Sequence, residues 1–186
     1  HTWSDAVPPD ETLGTLDYAV STGRARYAGV SNYGGWQTGY AVAHQNSASG
    51  RTPVVSTQLE YSLLQRGVER EVLPAAEALG IGVLAWSPLG RGVLTGKYRS
   101  GTPADSRAAS PHFAGFVETY LDQSSRRVVE AVSTAAEGLG VEVLPRAPVP
   151  NHAPVRRHLD EVVRVHPAVV LGAGTIGNLI AQVAKV

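Results

Sequence analysis

The 186-residue chain carries 43% hydrophobic and 17% charged residues, enough apolar side chains for the core of one ordinary domain and too few charges for a disordered chain. Sixteen basic side chains balance sixteen acidic ones, so no net field gathers a phosphate backbone or an anionic lipid surface. The balance disfavours nucleic-acid and membrane-surface partners and favours a small molecule.

In chain order, Pro8-Pro9-Asp10-Glu11 puts prolines and acids where a helix starts, and Leu13, Leu16, Ala19 and Val20 follow at helical spacing up to Gly23. Residues 25–30 read as a short strand ending at the polar pair Ser31-Asn32, and 36–45 as a helix. A Ser-Gly-Arg-Thr-Pro turn leads to a strand over 54–58. Residues 69–79 read as a helix closed by Gly80 and kinked or restarted at Pro74, with the next buried strand at 81–85. Strand ends at Ser31, Gln58 and Trp86 fall about 27 residues apart, the spacing of successive βα units around a parallel sheet. Residues 87–111 are rich in Gly, Pro, Ser and Arg and read as a long functional loop, and 124–138 as a helix. Pro145, Pro148, Pro150 and Pro154 exclude a continuous helix over 143–155, which leaves 142–166 irregular apart from a short helix over 156–165. A buried strand over 168–171, a turn at Gly172-Ala173-Gly174 and a last helix over 176–186 complete the chain.

The chain has no cysteine, so its chemistry has to come from His, carboxylates, Lys, Tyr or a bound cofactor. No apolar run approaches the roughly 18 to 20 residues of a membrane span, and the N-terminus lacks the apolar core of a signal peptide. The expectation is a soluble, cytoplasmic chain. His stands at position 1 and Met is absent throughout, so a fragment lacking an N-terminal segment is expected.

The segment Gln58-Leu59-Glu60-Tyr61-Ser62-Leu63-Leu64, then Arg66 and Glu69, then Trp86-Ser87-Pro88-Leu89-Gly90-Arg91-Gly92-Val93-Leu94-Thr95-Gly96-Lys97-Tyr98, resembles the aldo-keto reductase family. The branch it is most similar to also includes the potassium-channel β subunits. Gly29-Val30-Ser31-Asn32-Tyr33 with Trp36-Gln37 resembles the family's fifth strand end, and His1-Thr2-Trp3 with residues 9–13 its fourth. The resemblance covers residues 1–141 and implies a (β/α)8 TIM barrel with its site at the C-terminal strand ends, here as an incomplete barrel of strands 4 to 8 in a single unit over 1–186. The first three strands, which in the family carry the catalytic Asp, Tyr and Lys, are missing from the sequence.

The resemblance further implies an NADPH-dependent oxidoreductase that reduces aldehydes or ketones to alcohols. His1 would orient the substrate carbonyl, unless it is only the first residue of a cut chain. Ser31, Asn32 and Gln58 would hold the nicotinamide carboxamide; by residue type alone, helix capping for the first two and a solvated amide for the third are the alternatives. Trp86 would stack on the nicotinamide, the alternative being a core aromatic. Ser87, Leu89, Gly90 and Gly92 would meet the pyrophosphate with backbone N–H groups and a hydroxyl, with Arg91 and Lys97 as nearby positive charges; a plain surface loop is the alternative. Gly172 and Thr175 fit the family's last turn, and Asn178 and Gln182 the adenine contacts. Gly174 stands where an Arg is expected, which leaves NADPH against NADH open.

The tail is also similar to another class. Strand, Gly172-Ala173-Gly174-Thr175-Ile176-Gly177 and helix match the dinucleotide fingerprint of medium-chain dehydrogenases, although the second strand and the acidic residue about 20 positions on are lacking. The proline-rich stretch before it departs from the reductase pattern, as in a chimeric or wrongly sequenced chain after Val141. Two other functional classes stay open: a non-catalytic NADPH-binding regulatory subunit like the channel β subunits, and an inactive fragment with open sheet edges.

Overall fold

The computed structural model describes residues 1–140 and the strand Val169–Leu171. The expectations placed on 141–168 and 172–186, including the irregular stretch, the Gly172 turn and the last helix, lie outside those residues.

Helix α1 (Pro9–Ser21) begins where the prolines and acids put it, with Pro9 in the first turn, where a missing N–H leaves no intrahelical bond unmade. Strand β1 is Ala28–Ser31, three residues later than the sequence suggests. The amides of Arg24 and Ala25 both bond the Ala19 carbonyl and close α1, so they are withheld from the sheet ladder. Helix α2 (Gly35–Asn46) and strand β2 (Val54–Glu60) follow. Pro74 restarts the chain: a 3-10 turn (Gly67–Arg70) precedes helix α3 (Val72–Ala78), placing Pro74 in the first turn of α3. Strand β3 is Gly82–Trp86. The long loop is more ordered than its composition implies, with 3-10 turns at Gly90–Thr95 and Arg107–Ala109 and a short helix α4 (Ala114–Glu118) before helix α5 (Gln123–Leu139).

The four strands, β4 being Val169–Leu171, form one sheet in the order β1-β2-β3-β4, every neighbouring pair parallel. Residue alternation gives the sheet two unlike faces. Val30, Thr57, Leu59, Val83 and Ala85 face the helices and are buried; Val30, Leu59 and Val83 form one cluster with Leu13, Ala41, Val42, Val72 and Ala76. Each fully buried Leu or Val of this layer contributes about 1.5–3 kcal/mol relative to exposure. Asp17 joins the layer's ends: one carboxylate oxygen accepts from Gln45 Nε2 at 2.6 Å and from the Thr52 amide at 2.7 Å, linking α1, α2 and the turn into β2.

The opposite face carries the register rows Gly29, Ser56 and Gly82; Ser31, Gln58 and Leu84; Glu60 and Trp86. Its first row is narrow by necessity, since a Cβ on Gly29 would lie 2.4 Å from Ser56 Oγ and 2.9 Å from the Ser56 carbonyl oxygen. A second cluster of Val93, Leu94, Tyr98, Val117, Tyr120 and Val129 seats the 87–122 region on α5. The same loop therefore has a core of its own.

Candidate functional site

Four of the residues singled out in the sequence meet at the C-terminal ends of β1, β2 and β3. Ser31 and Gln58 are register partners on the face away from the helices, their Oγ and Oε1 3.5 Å apart. Asn32 adopts the left-handed conformation (φ 54°), which Asn tolerates better than most residues, and its amide extends the ladder by bonding the Gln58 carbonyl at 2.8 Å. That conformation turns its side chain into the junction of the cluster. Nδ2 donates to Ser31 Oγ at 3.2 Å and to the His1 carbonyl at 3.3 Å, while Oδ1 accepts from Trp86 Nε1 at 3.0 Å.

Helix capping does not use these residues: the N-cap of α2 is Gly34, whose amide is bonded by Gln37 Oε1 at 2.7 Å. Among the described residues nothing accepts a hydrogen bond from Gln58 Nε2. The cluster thus offers a free amide donor beside polar oxygens and a half-buried indole, the complement of a planar carboxamide-bearing ring. His1 is at the rim, tied in by its backbone.

Within its first six residues the loop after β3 departs four times into the left-handed region, at Ser87 (φ 52°), Gly90 (54°), Arg91 (59°) and Gly92 (91°). Gly90 is needed for space as well, because a Cβ there would come within 2.6 Å of Leu64 Cδ1. The amides of Gly90 and Gly92, expected to reach a pyrophosphate, are used inside the loop on the carbonyls of Ser87 (2.8 Å) and Leu89 (3.0 Å). The Ser87 hydroxyl has no hydrogen-bond partner among the described residues. Lys97 lies close to the glycine: a Cβ on Gly92 would come within 3.0 Å of Lys97 Cε and 3.1 Å of Nζ, and no carboxylate among the described residues pairs with it. The Lys97 ammonium lies 5.1 Å from the Tyr98 ring centre, and an ammonium without a carboxylate partner suits a phosphate group.

Arg91, expected as a positive charge near the pyrophosphate, directs its side-chain donors to protein groups. Its Nε and Nη2 form a fork on both oxygens of Glu60 at 2.8 and 2.7 Å, and Nη1 donates to the Phe116 carbonyl at 2.5 Å. Both side chains of the ion pair are about nine-tenths buried, at 11% and 12% exposure. The guanidinium carbon lies 3.8 Å from the Phe116 ring centre, 4.8 Å from that of Tyr120 and 5.9 Å from that of Trp86. Phe116 in turn stacks on Trp86 with centroids 6.5 Å apart and planes at 18°. Burial, then the Glu60 carboxylate, pushes the Tyr120 phenol above its ordinary pKa.

Glu60, Phe116 and Tyr120 escaped the sequence reading. Glu60 had a signal, standing two residues beyond Gln58 on the same strand face. Phe116 and Tyr120 had only their spacing of four, and nothing local to say that a short helix folds back over the strand ends. Gly172, Thr175, Asn178 and Gln182 fall outside the described residues. A cavity of about 600 Å³ lies elsewhere, between Leu63 and the Arg127, Val128, Ala131 and Ala135 stripe of α5, away from this cluster.

Sequential parallel strands with a polar and aromatic cluster at their C-terminal ends define an α/β protein of the kind that builds its site on βα loops. The chain belongs to the aldo/keto reductase family, whose sequence profile matches residues 1–164 and whose fold is the (β/α)8 barrel. It is 36% identical over 139 residues to a probable voltage-gated potassium channel subunit beta of Oryza sativa subsp. japonica, covering 74% of this chain and 42% of that protein. An uncharacterized oxidoreductase of Bacillus subtilis (strain 168) is 45% identical over 93 residues, covering 49% of this chain and 28% of the relative. The L-glyceraldehyde 3-phosphate reductase of Escherichia coli (strain K12) is 36% identical over 108 residues, covering 58% and 31%. The chain thus spans less than half the length of each. No helix among the described residues is long and apolar enough to cross a membrane.

Proposed function

We propose that this chain is the cofactor-binding part of an NADPH-dependent oxidoreductase that reduces small aldehydes or ketones, an incomplete barrel carrying strands 4 to 8. The observation that carries the reading is the convergence of Ser31, Asn32, Gln58 and Trp86 in one hydrogen-bonded cluster at the strand ends. The residues fit the cofactor: among the described residues Gln58 Nε2 has no acceptor and is available to donate, the Trp86 ring offers a face, and Lys97 and the Ser87 hydroxyl each offer an anion contact. Leu89, Gly90 and Gly92 shape that contact through backbone conformation, Arg91 is a nearby positive charge, and Gly172, Thr175, Asn178 and Gln182 are proposed for the adenosine end.

When bound, the nicotinamide supplies the hydride. Ser31, Asn32 and Gln58 fix its carboxamide and so the ring face presented, and His1 orients the substrate carbonyl by hydrogen bonding. The acid that protonates the oxygen comes from outside this sequence. The similarity to the rice channel β subunit favours a second reading, in which the same site binds NADPH for regulation without turnover.

Titration with NADPH and NADH, followed by quenching of tryptophan emission, tests the reading. Saturable NADPH binding weakened by Gln58→Ala supports it, and no binding, or binding indifferent to Gln58, refutes it.

A further inference from the structure

The Arg91 fork is in the wrong place for a simple anion contact. All three kinds of guanidinium nitrogen are already bonded to protein, two on Glu60 and one on the Phe116 carbonyl, and the pair is nearly out of solvent. The backbone of Arg91 is held left-handed, a strain that a non-glycine residue keeps only where its surroundings over-determine it. What the fork reaches is a five-residue helix, α4, too short to hold its own shape. The aromatic ring stacked on Trp86 belongs to that helix.

We propose that Arg91 is a positioning residue: forked on Glu60 at the end of β2 and bonded to Phe116, it pins α4 against Trp86 and so builds the aromatic wall beside the nicotinamide site. The proposal rests on the cofactor reading above for what the wall serves, but not for the tether itself. Val117, fully buried in the second hydrophobic cluster, anchors α4 independently of the fork, so breaking the fork releases the Phe116 side of the segment without unfolding the sheet. Geometry is essential to this role. A lysine supplies a point charge on a flexible stem and neither the planar fork nor the stacking surface, whereas for a phosphate contact a lysine is a fair substitute. Glu60 discriminates the two roles further: removing its charge disrupts a tether but frees a phosphate-seeking arginine from a competitor.

The test compares the 186-residue chain with its Arg91→Lys, Glu60→Gln and double variants. Hydrogen–deuterium exchange is followed on peptides covering 113–121 and, as a reference, on α1 and α2, alongside the NADPH dissociation constant at two salt concentrations. Each single variant is expected to speed exchange of the 113–121 amides at least tenfold with α1 and α2 unchanged. Each should weaken NADPH binding by a similar factor at both salt concentrations, and the double variant should be no worse than either single. Unchanged exchange at 113–121 overturns the proposal, as does acceleration spread equally over α1 and α2. Glu60→Gln binding NADPH as tightly as or tighter than wild type, with Arg91→Lys nearly normal, overturns it in favour of a direct phosphate contact. Wild-type protein that binds no NADPH overturns the cofactor reading instead, and the exchange data alone then decide the tether.

Discussion

The indole N–H of Trp86 donates to the side-chain oxygen of Asn32 at 3.0 Å and so ties the end of β3 to the end of β1 across 54 residues. The bond fixes the plane of the ring proposed to stack on the nicotinamide. Trp86→Phe keeps a stacking face and loses the bond, worth about 0.5–1.5 kcal/mol, or roughly 2- to 10-fold in affinity. Trp86→Ala loses the aromatic contact as well, a further 0.5 to 1.5 kcal/mol or about that. NADPH titration should therefore rank wild type above Phe and Phe above Ala; equal affinities would remove Trp86 from the site.

Gln58 lies next to Ser31, and its amide donor has no acceptor among the described residues. Gln58→Ala should thus leave folding nearly unchanged, within about 0.5 kcal/mol, while weakening NADPH binding roughly 2- to 10-fold. A thermal scan and a binding titration on the same samples check it. A drop in Tm without a change in affinity would make Gln58 structural.

Gly29→Ala should lower stability by about 1–3 kcal/mol through overpacking, because the added Cβ meets Ser56 Oγ at 2.4 Å and the Ser56 carbonyl oxygen at 2.9 Å. Ser56→Ala removes the first contact and leaves the second, so the double variant should recover part of the loss. Denaturant unfolding of the four proteins reads the coupling directly. Additive effects would show that the row does not close as described.

Much of this architecture was legible in the sequence, and the exceptions have physical causes. The strand ends at Ser31 and Trp86, and that of β2 to within two residues (Gln58 expected, Glu60 found), could be found because apolar runs and turn residues repeat at the spacing of a βα unit. Their gathering into one cluster follows from parallel register, which places Ser31 beside Gln58 and Glu60 beside Trp86. The Arg91 network was not legible. It depends on Phe116 and Tyr120 returning over the strands from a stretch whose Gly, Pro and Ser content reads as loop. Its order comes from tertiary packing of Val93, Leu94, Val117 and Tyr98 on α5 rather than from local propensity.

Asp122 caps α5, accepting from the Ser125 amide at 2.9 Å and from the Ser124 hydroxyl at 2.6 Å, and those bonds lower its pKa to about 2. A carboxyl whose folded pKa is depressed stabilises the fold fully above its unfolded value, near 4, and loses that contribution as pH falls towards about 2. Asp122→Ala should therefore lower Tm by a few degrees at neutral pH. The difference from wild type should be constant above about pH 5 and shrink steadily below pH 4. A difference independent of pH down to about 2 would show that the charge is not what caps the helix.

The 186-residue chain by itself should show negligible carbonyl reductase activity even where it binds NADPH. Hydride transfer to a carbonyl leaves an alkoxide that needs a proton, and the family's tyrosine acid is tuned downward by a neighbouring lysine. Four tyrosines here are shifted the other way. Burial raises the Tyr33 pKa; burial and the bond to Glu69 raise that of Tyr61; the bond to Asp10 raises that of Tyr40; burial and Glu60 raise that of Tyr120. Tyr61 also gives its phenolic hydrogen to Glu69 at 2.9 Å, and Tyr33 packs edge-on against Trp3 away from the Gln58 face. General acid assistance typically contributes about 10²- to 10⁴-fold, so its lack alone suppresses turnover. Supplying strands 1 to 3 of a related reductase, in cis or as a second chain, should restore it, and His1→Ala in the complemented form should reduce it again. NADPH oxidation with a reactive aromatic aldehyde reads all three; full turnover by the isolated chain would place the acid among the residues described here.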